Sequence, residues 1–371
     1  MLGFWNRSIP KAKATRTGPW FYTSKDLPKL IHSILSYPPC SSITVEALHR
    51  ETNVKQQTIK EILSHFSHKH DEVNLEYDEA IARTNTNMFP LVDLGNGEYY
   101  LLSSQFCGYA FCEKMHAELK GELKDSFDAS LGVMLEELIR QLLRGKGYAF
   151  KHGIYAEGVS GVQTDCDLVM ETDRDIFFFE IKKRGLSKGF ELVKDVQLLR
   201  DLGYGPLRAQ VQALKHRLYL KNNSNINLVD ENGNQSLLVE RGRRINTISI
   251  CLPEYGFLTI KSVIQKLTEC MLYVNYNTYD PSEAHKLNDL NLLADEFKGL
   301  AERLDPNHTM NTRTLTFDIS FKSFQQFWIA LTNSTSKENF LELLRADHYM
   351  QSSSLDFYET LRWEINVKTA R

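Results

Sequence analysis

The spacing of apolar positions changes several times along the chain. Between residues 43 and 66, Val45, Leu48, Val54, Ile59, Ile62, Leu63 and Phe66 recur at helical intervals, interrupted at Asn53-Val54. This predicts two short helices, 43–52 and 55–66, joined by a tight turn. Further on, Gly95-Asn96-Gly97 separates two short apolar runs, 91–94 and 99–102, which is a hairpin signal. From 126 to 280 the period alternates. A helix is predicted over 127–145, ending at the glycines Gly145 and Gly147. Strands are predicted over 148–155, 162–170, 176–182 and 245–252, with a helix over 207–220 and a polar loop over 230–234. Beyond 280 the pattern is mainly helical, with one strand-like stretch at 314–321. No internal repeat or low-complexity tract interrupts it. Three regions result: an N-terminal region, 1–125, holding a helix-turn-helix or winged-helix unit at 24–70 behind a basic arm; an α/β core, 126–280; and a mainly helical region, 281–371.

Length and composition narrow the class. A chain of 371 residues exceeds one small module. With 42% hydrophobic and 25% charged residues it is neither disordered throughout nor collagen-like. No run of about eighteen apolar residues exists to span a membrane. The opening segment, with Trp5, Arg7, Pro10, Lys11 and Lys13, lacks the apolar stretch of a signal peptide. The six cysteines are scattered, and Cys107 and Cys112, the one close pair, have no His or Cys partners to complete a zinc set. Free thiols and a cytoplasmic location are the expectation.

Charge is distributed in blocks. Residues 1–70 hold ten Lys/Arg against four Asp/Glu, a net of +6; 120–180 hold seven against twelve, a net of -5; 181–221 hold ten against three, a net of +7. An acidic segment between basic ones suits a metal-dependent site facing a polyanion, although solvated charge blocks would read the same way.

The acidic block contains one unusual placement. Thr164-Asp165-Cys166-Asp167-Leu168-Val169 precedes the apolar run that ends Phe179-Glu180-Ile181-Lys182. Strand side chains alternate, so Glu180 and Lys182 share a face, as do Asp165 and Asp167. Charges set into apolar strands need partners or a metal. Three other acidic-x-Lys triplets, Glu118-Leu119-Lys120, Glu122-Leu123-Lys124 and Glu296-Phe297-Lys298, lie in polar, helix-like surroundings, where residues two apart face different ways. On the helix before these strands, Leu131, Met134, Leu135, Leu138, Ile139 and Leu142 form an apolar stripe at about 100° per residue. Glu136 lies at its margin beside Gly132, and Glu137 nearer the solvated side. On the later helix, Gln210 borders the stripe of Leu207, Val211, Leu214 and Leu218, with Gln212 farther out.

This order of elements (helix with Glu, strand, strand with Asp, strand with Glu-x-Lys, helix) resembles the PD-(D/E)XK, or restriction-endonuclease-like, nuclease superfamily. The stretch from Gly132 to Tyr148, Asp165-Cys166-Asp167-Leu168-Val169 and Phe179-Glu180-Ile181-Lys182-Lys183-Arg184 are similar to the core of archaeal Holliday-junction resolvases. The resemblance covers roughly 130–221. It lacks a literal Pro-Asp pair, which leaves Asp165 and Asp167 both open, Asp167 being preferred because Leu168-Val169 follows it directly.

The resemblance implies an α/β fold: a restriction-endonuclease-like core, a mixed central sheet flanked by helices, with helical N-terminal and C-terminal additions. It implies a Mg²⁺-dependent DNA endonuclease, with Mn²⁺ as an alternative ion, in restriction, phage defence or DNA repair. Asp167, Glu180, the Ile181 carbonyl and Glu136 would hold the metal; Glu136, Asp167, Glu180, Lys182 and Gln210 would form the catalytic set. Lys183, Arg184, Lys188, Arg208 and Arg217 would line a phosphate-contacting rim, and Lys55 and Lys60 would meet DNA from the N-terminal unit. The N- or C-terminal region would receive a second copy or a protein partner. The alternative is a catalytically inactive nucleic-acid-binding or assembly protein on the same fold.

Overall fold

A computed structural model describes residues 24–69, 88–102, 104–157, 162–185, 195–307, 315–316, 318–346 and 357–369. The chain divides into two compact units, Met1–Met134 and Leu135–Arg371.

In the first unit, α1 (Asp26–Ser36) buries Leu27, Leu30, Ile31 and Ile34, a complete i, i+3, i+4, i+7 stripe. Strand β1 (Ser41–Thr44) leads into α2 (Val45–Thr52), whose first turn is capped by Thr44 accepting from the Ala47 N–H at 3.1 Å. Asn53, left-handed at φ 58°, ends α2, and its N–H donates to His49 O, so only three residues separate α2 from α3 (Gln56–His65). Strands β2 (Ser67–Lys69), β3 (Leu91–Gly95) and β4 (Glu98–Leu101) complete the unit. β3 and β4 form the hairpin expected from Gly95-Asn96-Gly97, all three residues having positive φ. The sheet order is β1-β4-β3-β2, with β2 parallel to β3 and the other pairs antiparallel.

Helix α4 runs from Ser104 to Gly145, far longer than the 127–145 expected, and the boundary between the units falls within it. Its early part pairs charges at i, i+4, as in Lys114–Glu118 at 2.9 Å. The second unit is built on a seven-stranded mixed sheet, β11-β10-β7-β6-β5-β8-β9. Its strands are β5 (Lys151–Glu157), β6 (Val162–Glu171), β7 (Asp175–Lys182), β8 (Asn225–Val229), β9 (Gln235–Val239), β10 (Arg244–Cys251) and β11 (Ile319–Ser323). β7, β10 and β11 are parallel neighbours; the remaining pairs are antiparallel. The crossover from β7 to β10 passes through α5 (Asp195–Leu202), a π-helical turn at Gly203–Leu207 and α6 (Arg208–Asn223). Helices α7 (Lys261–Cys270), α8 (Asn288–Leu304), α9 (Phe324–Thr332), α10 (Lys337–Leu344) and α11 (Phe357–Thr369) follow β10.

The fold is therefore mixed α/β. The strand expected at 314–321 lies at Ile319–Ser323 and enters the main sheet beside β10, so the C-terminal region contributes a strand as well as helices. No helix among the described residues is long and apolar enough to cross a membrane. Cys40, Cys112, Cys166, Cys251 and Cys270 are free thiols.

Candidate active site

Asp167 stands where β6 changes phase. Lys151 of β5 pairs with Val169, but Gly153 pairs with Cys166, so β6 carries one residue more than β5 across this step. That is a β-bulge at Asp167-Leu168, a device that re-aims side chains. Cys166 and Val169, three residues apart, consequently enter the same apolar core, shared with Ile176 and Phe178 of β7 and Ala213 and Leu220 of α6. The β6–β7 ladder runs from Glu171↔Ile176 to Leu168↔Phe179. One step beyond, the Asp167 carboxylate accepts the backbone N–H of Ile181 at 2.6 Å.

β7 brings up the other charges. Glu180 is fully buried and Lys182 half-buried. Lys182 Nζ lies 3.1 Å from Glu180 Oε2 and 3.5 Å from Asp167 Oδ2, so one ammonium bridges the two carboxylates. Glu180 Oε1 meets His216 Nε2 of α6 at 2.8 Å, and His216 Nδ1 meets the Tyr155 hydroxyl of β5 at 2.8 Å. A carboxylate can only accept, so Nε2 carries the proton, and in the neutral ring Nδ1 accepts from Tyr155. The result is a buried chain, Tyr155–His216–Glu180–Lys182–Asp167, reaching from β5 through α6 back to β6.

The electrostatics separate the two carboxylates. Burial alone would raise Glu180, but Lys182 and the His216 hydrogen bond outweigh it and hold Glu180 below the usual range. Burial, reinforced by Glu180, pushes Asp167 well above the usual range despite Lys182 and the Ile181 N–H. Asp165 is likewise raised by burial and then by Glu180. Burial pulls the Lys182 ammonium down, but Glu180 and Asp167 overcome this and hold it above its ordinary value. Glu136 is raised by burial, with Arg140 opposing and Asp165 adding to the effect; it also lies in the field of Lys182 and Glu180. Glu137 instead faces Arg140, Gln141 and Arg144. Of the two helix glutamates, Glu136 is the one turned towards the cluster.

Gln210 does not join it. Its amide donates to Ser249 Oγ at 2.6 Å and Ser320 O at 2.9 Å and accepts from Thr247 at 2.8 Å, tying α6 to β10 and β11. The polar groups that α6 offers on the other side are His216 and, one turn earlier on the same face, Gln212, whose Oε1 is buried without a hydrogen-bond partner. Sequence reasoning followed the stripe Leu207, Val211, Leu214 and Leu218 and passed over His216. A second stripe, Ala209, Ala213, His216 and Leu220, is also buried, and His216 is its one polar member. That second period was the available signal.

The proposed rim is divided. Arg184 is held by Asp201, which is fully buried, at 2.6 Å, and Lys183 is half-buried. Arg208 is exposed at the start of α6. Arg217 is not a surface contact: its guanidinium is tucked in beside the Leu315 carbonyl and Asp318, and burial lowers its pKa. Lys188 lies outside the described residues. Lys55 and Lys60 are exposed on α3 of the first unit, Lys55 at its N-cap.

The donor chemistry fits a hard cation. Among the described residues no set of three or more His, Cys, Asp or Glu forms a ready metal cage. Mg²⁺, however, keeps several waters and binds through one or two carboxylates. Burial first, and neighbouring carboxylates after it, raise Asp165, Asp167 and Glu136, and a divalent ion held by these oxygens would favour their charged forms. No family model, curated protein or solved structure matches this chain.

Proposed function

We propose that the second unit is a Mg²⁺-dependent phosphodiesterase of the PD-(D/E)XK type acting on DNA. The observation that carries this reading is the bridge from Lys182 to both Asp167 and Glu180, at the point where β6 and β7 stop pairing. The order α4, β5, β6, β7, α6, with Glu136 on the first helix and Glu180-x-Lys182 on the third strand, supports it. So does β10 alongside β7 in parallel after a helical crossover.

Asp167 and Glu180, with the Ile181 carbonyl and Glu136, would hold the ion. Bound there, Mg²⁺ supplies charge relief at the scissile phosphate and acidifies a water. Lys182, as an ammonium, donates to a phosphate oxygen or to the attacking water. His216 positions Glu180 through its Nε2–H, and Tyr155 orients His216. Gln212, with an unsatisfied oxygen on the same helix face, takes over the role expected of Gln210 and accepts from a water or a substrate donor. In the first unit, three helices and a hairpin whose second strand, β4, pairs with β1 support a winged-helix reading, with Lys55 and Lys60 on the second of its two closely linked helices.

A second reading draws on the occupancy of Glu180. Both its oxygens are already engaged, by Lys182 and His216, which suits a nucleic-acid-binding protein that does not cut. Cleavage separates the two. Wild type, Asp167→Ala and Lys182→Ala are compared on linear duplex, single-stranded and branched DNA, in Mg²⁺ and in chelator. The nuclease reading expects metal-dependent cutting that both substitutions abolish while DNA binding persists. Cutting by Asp167→Ala at the wild-type rate removes the assigned site, and a wild type that cuts no substrate leaves the binding reading.

A further inference from the structure

A second group of charged residues lies beside the acidic chain and is not used by it. Past Lys182, Arg184 turns back to the buried Asp201 of α5, and its guanidinium sits 5.6 Å from the centre of the Tyr204 ring. Arg200, one turn before Tyr204, lies 5.9 Å from the same ring. Arg200, Tyr204, Arg208, Lys286 and Asp289 line an open pocket whose empty space, part of it continuous with solvent, is about 310 Å³.

Three features define what the pocket can take. First, cations outnumber carboxylates. Its one acid, Asp289, accepts the Tyr204 hydroxyl, and Lys286 is paired at the margin with Glu283 at 2.5 Å. Arg208 makes no ion pair among the described residues, and it is exposed at the first position of α6. Second, a donor there is unsatisfied. Arg200 gives Nη1 to Gln197 at 3.2 Å, but its Nε is buried without a hydrogen-bond partner. Buried guanidinium donors are rarely left so, and an anionic acceptor would complete it. Third, the Tyr204 ring is fixed by its hydroxyl bond and flanked by guanidinium groups, an arrangement that places a π-face next to cations, as strands of nucleic acid require.

We propose that this pocket binds a phosphate group of the substrate strand, with Arg208 and Arg200 as its donors and Tyr204 as a stacking face for the adjoining base. The proposal rests on the nucleic-acid reading above and adds a specific subsite to it. Arg184, two residues beyond Lys182, lies near the Tyr204 ring, which links the pocket to the end of β7.

The test uses the full chain in chelator, where no cutting occurs. Affinities are measured by fluorescence anisotropy for oligonucleotides carrying a 5′-phosphate or a 5′-hydroxyl, across a salt series. Inorganic pyrophosphate is measured separately, by its effect on the melting temperature. Arg208→Ala is compared with Arg208→Lys and Lys286→Ala; Arg208 is exposed, and the melting temperature without ligand checks that each variant is folded. Arg208→Ala is expected to weaken oligonucleotide binding about tenfold, the scale of one charge-assisted hydrogen bond. It should also flatten the log–log salt slope by about 0.9 and abolish stabilisation by pyrophosphate, with Arg208→Lys recovering part of each. A loss confined to the 5′-phosphorylated strand assigns a terminal monoester; an equal loss for both assigns an internal diester. Wild-type affinity, slope and pyrophosphate response in Arg208→Ala and Lys286→Ala would overturn the proposal. Cleavage in Mg²⁺ is scored independently. A chain that needs Arg208 to bind but never cuts keeps the pocket and loses the nuclease reading. A chain that cuts while Arg208→Ala binds as wild type does the reverse.

Discussion

Two carboxylates sharing one ammonium in a buried site cannot both be comfortably ionised. Glu180, with Lys182 and His216 on its two oxygens, keeps its charge; Asp167, with more burial than compensation, is driven towards the neutral form. Because the folded state raises the Asp167 pKa, its contribution to stability is fully present below the unfolded pKa and is lost as pH rises through the folded value. Asp167→Asn removes this penalty. In chelator it should melt higher than wild type at pH 8, by on the order of 1 kcal/mol or more, the scale of an uncompensated buried polar group. The advantage should shrink as pH falls, and thermal melts across pH 4–9 read it; a variant less stable than wild type at pH 8 contradicts the assignment. His216 acts one bond further out. His216→Ala leaves the buried Glu180 with one partner fewer, at a cost of about 1–3 kcal/mol, and should lower kcat of metal-dependent cleavage with KM little changed. His216→Gln keeps a donor near the Nε2 position and should restore much of kcat. Equal rates in Ala and Gln variants of matched stability would show that His216 only fills space.

At the scale of elements, the site depends on how β6 is laid against β5. The bulge at Asp167-Leu168 faces a stretch of β5 that contains Gly153, at φ +129°, where an added Cβ would fall 2.3 Å from Val229 O of β8. Only glycine permits that approach. Gly153→Ala should therefore cost about 2 kcal/mol or more, read as a lower denaturant midpoint. It should also disturb cleavage more than a core substitution of equal cost placed elsewhere, because it moves the strand that sets Asp167. Neither the bulge nor the Gly153 approach was legible in the sequence, since both depend on which strands become neighbours. What was legible was local. Ile176 to Ile181 read as a strand because an apolar run of that length has few other solutions, and Glu180 and Lys182 stood out because charges interrupt it. Glu136 followed from helix geometry. His216 did not, because α6 is buried on two sides and a single apolar stripe describes only one of them. The edge strand β11 was misplaced by a few residues, since its burial comes from pairing with β10 rather than from alternation. Helix α1 was passed over although Leu27, Leu30, Ile31 and Ile34 carry the full helical period.

For the whole molecule, the division into two units lets the proposed binding and cutting be tested separately. The first unit has its own core, and its exposed cations Lys55 and Lys60 lie five positions apart on one short helix, α3, Lys55 at its N-cap. Five positions on a helix turn through about 500°, so the two side chains lie about 140° apart; they bracket a face rather than coincide on it. If α3 lies against DNA, each contributes a separate phosphate contact. Removing both should reduce the steepness of the log affinity–log salt line by up to about 1.8, at roughly 0.9 per contact on duplex DNA. Lys55→Ala/Lys60→Ala, measured in chelator on the same duplex between 50 and 200 mM salt (a range of about fourfold, wide enough to define the slope), is the direct check. The melting temperature should stay within error of wild type, because both side chains are exposed and neither has an ion pair among the described residues. At saturating DNA, the cutting rate of the second unit should be unchanged, since the acidic chain, the Lys182 bridge and the α6 contacts all lie beyond Leu135. A lower affinity with an unchanged slope would mean that the lysines act through shape rather than charge. An unchanged affinity and slope would mean that the first unit holds a protein partner instead of DNA, and that nucleic-acid binding belongs to the second unit alone.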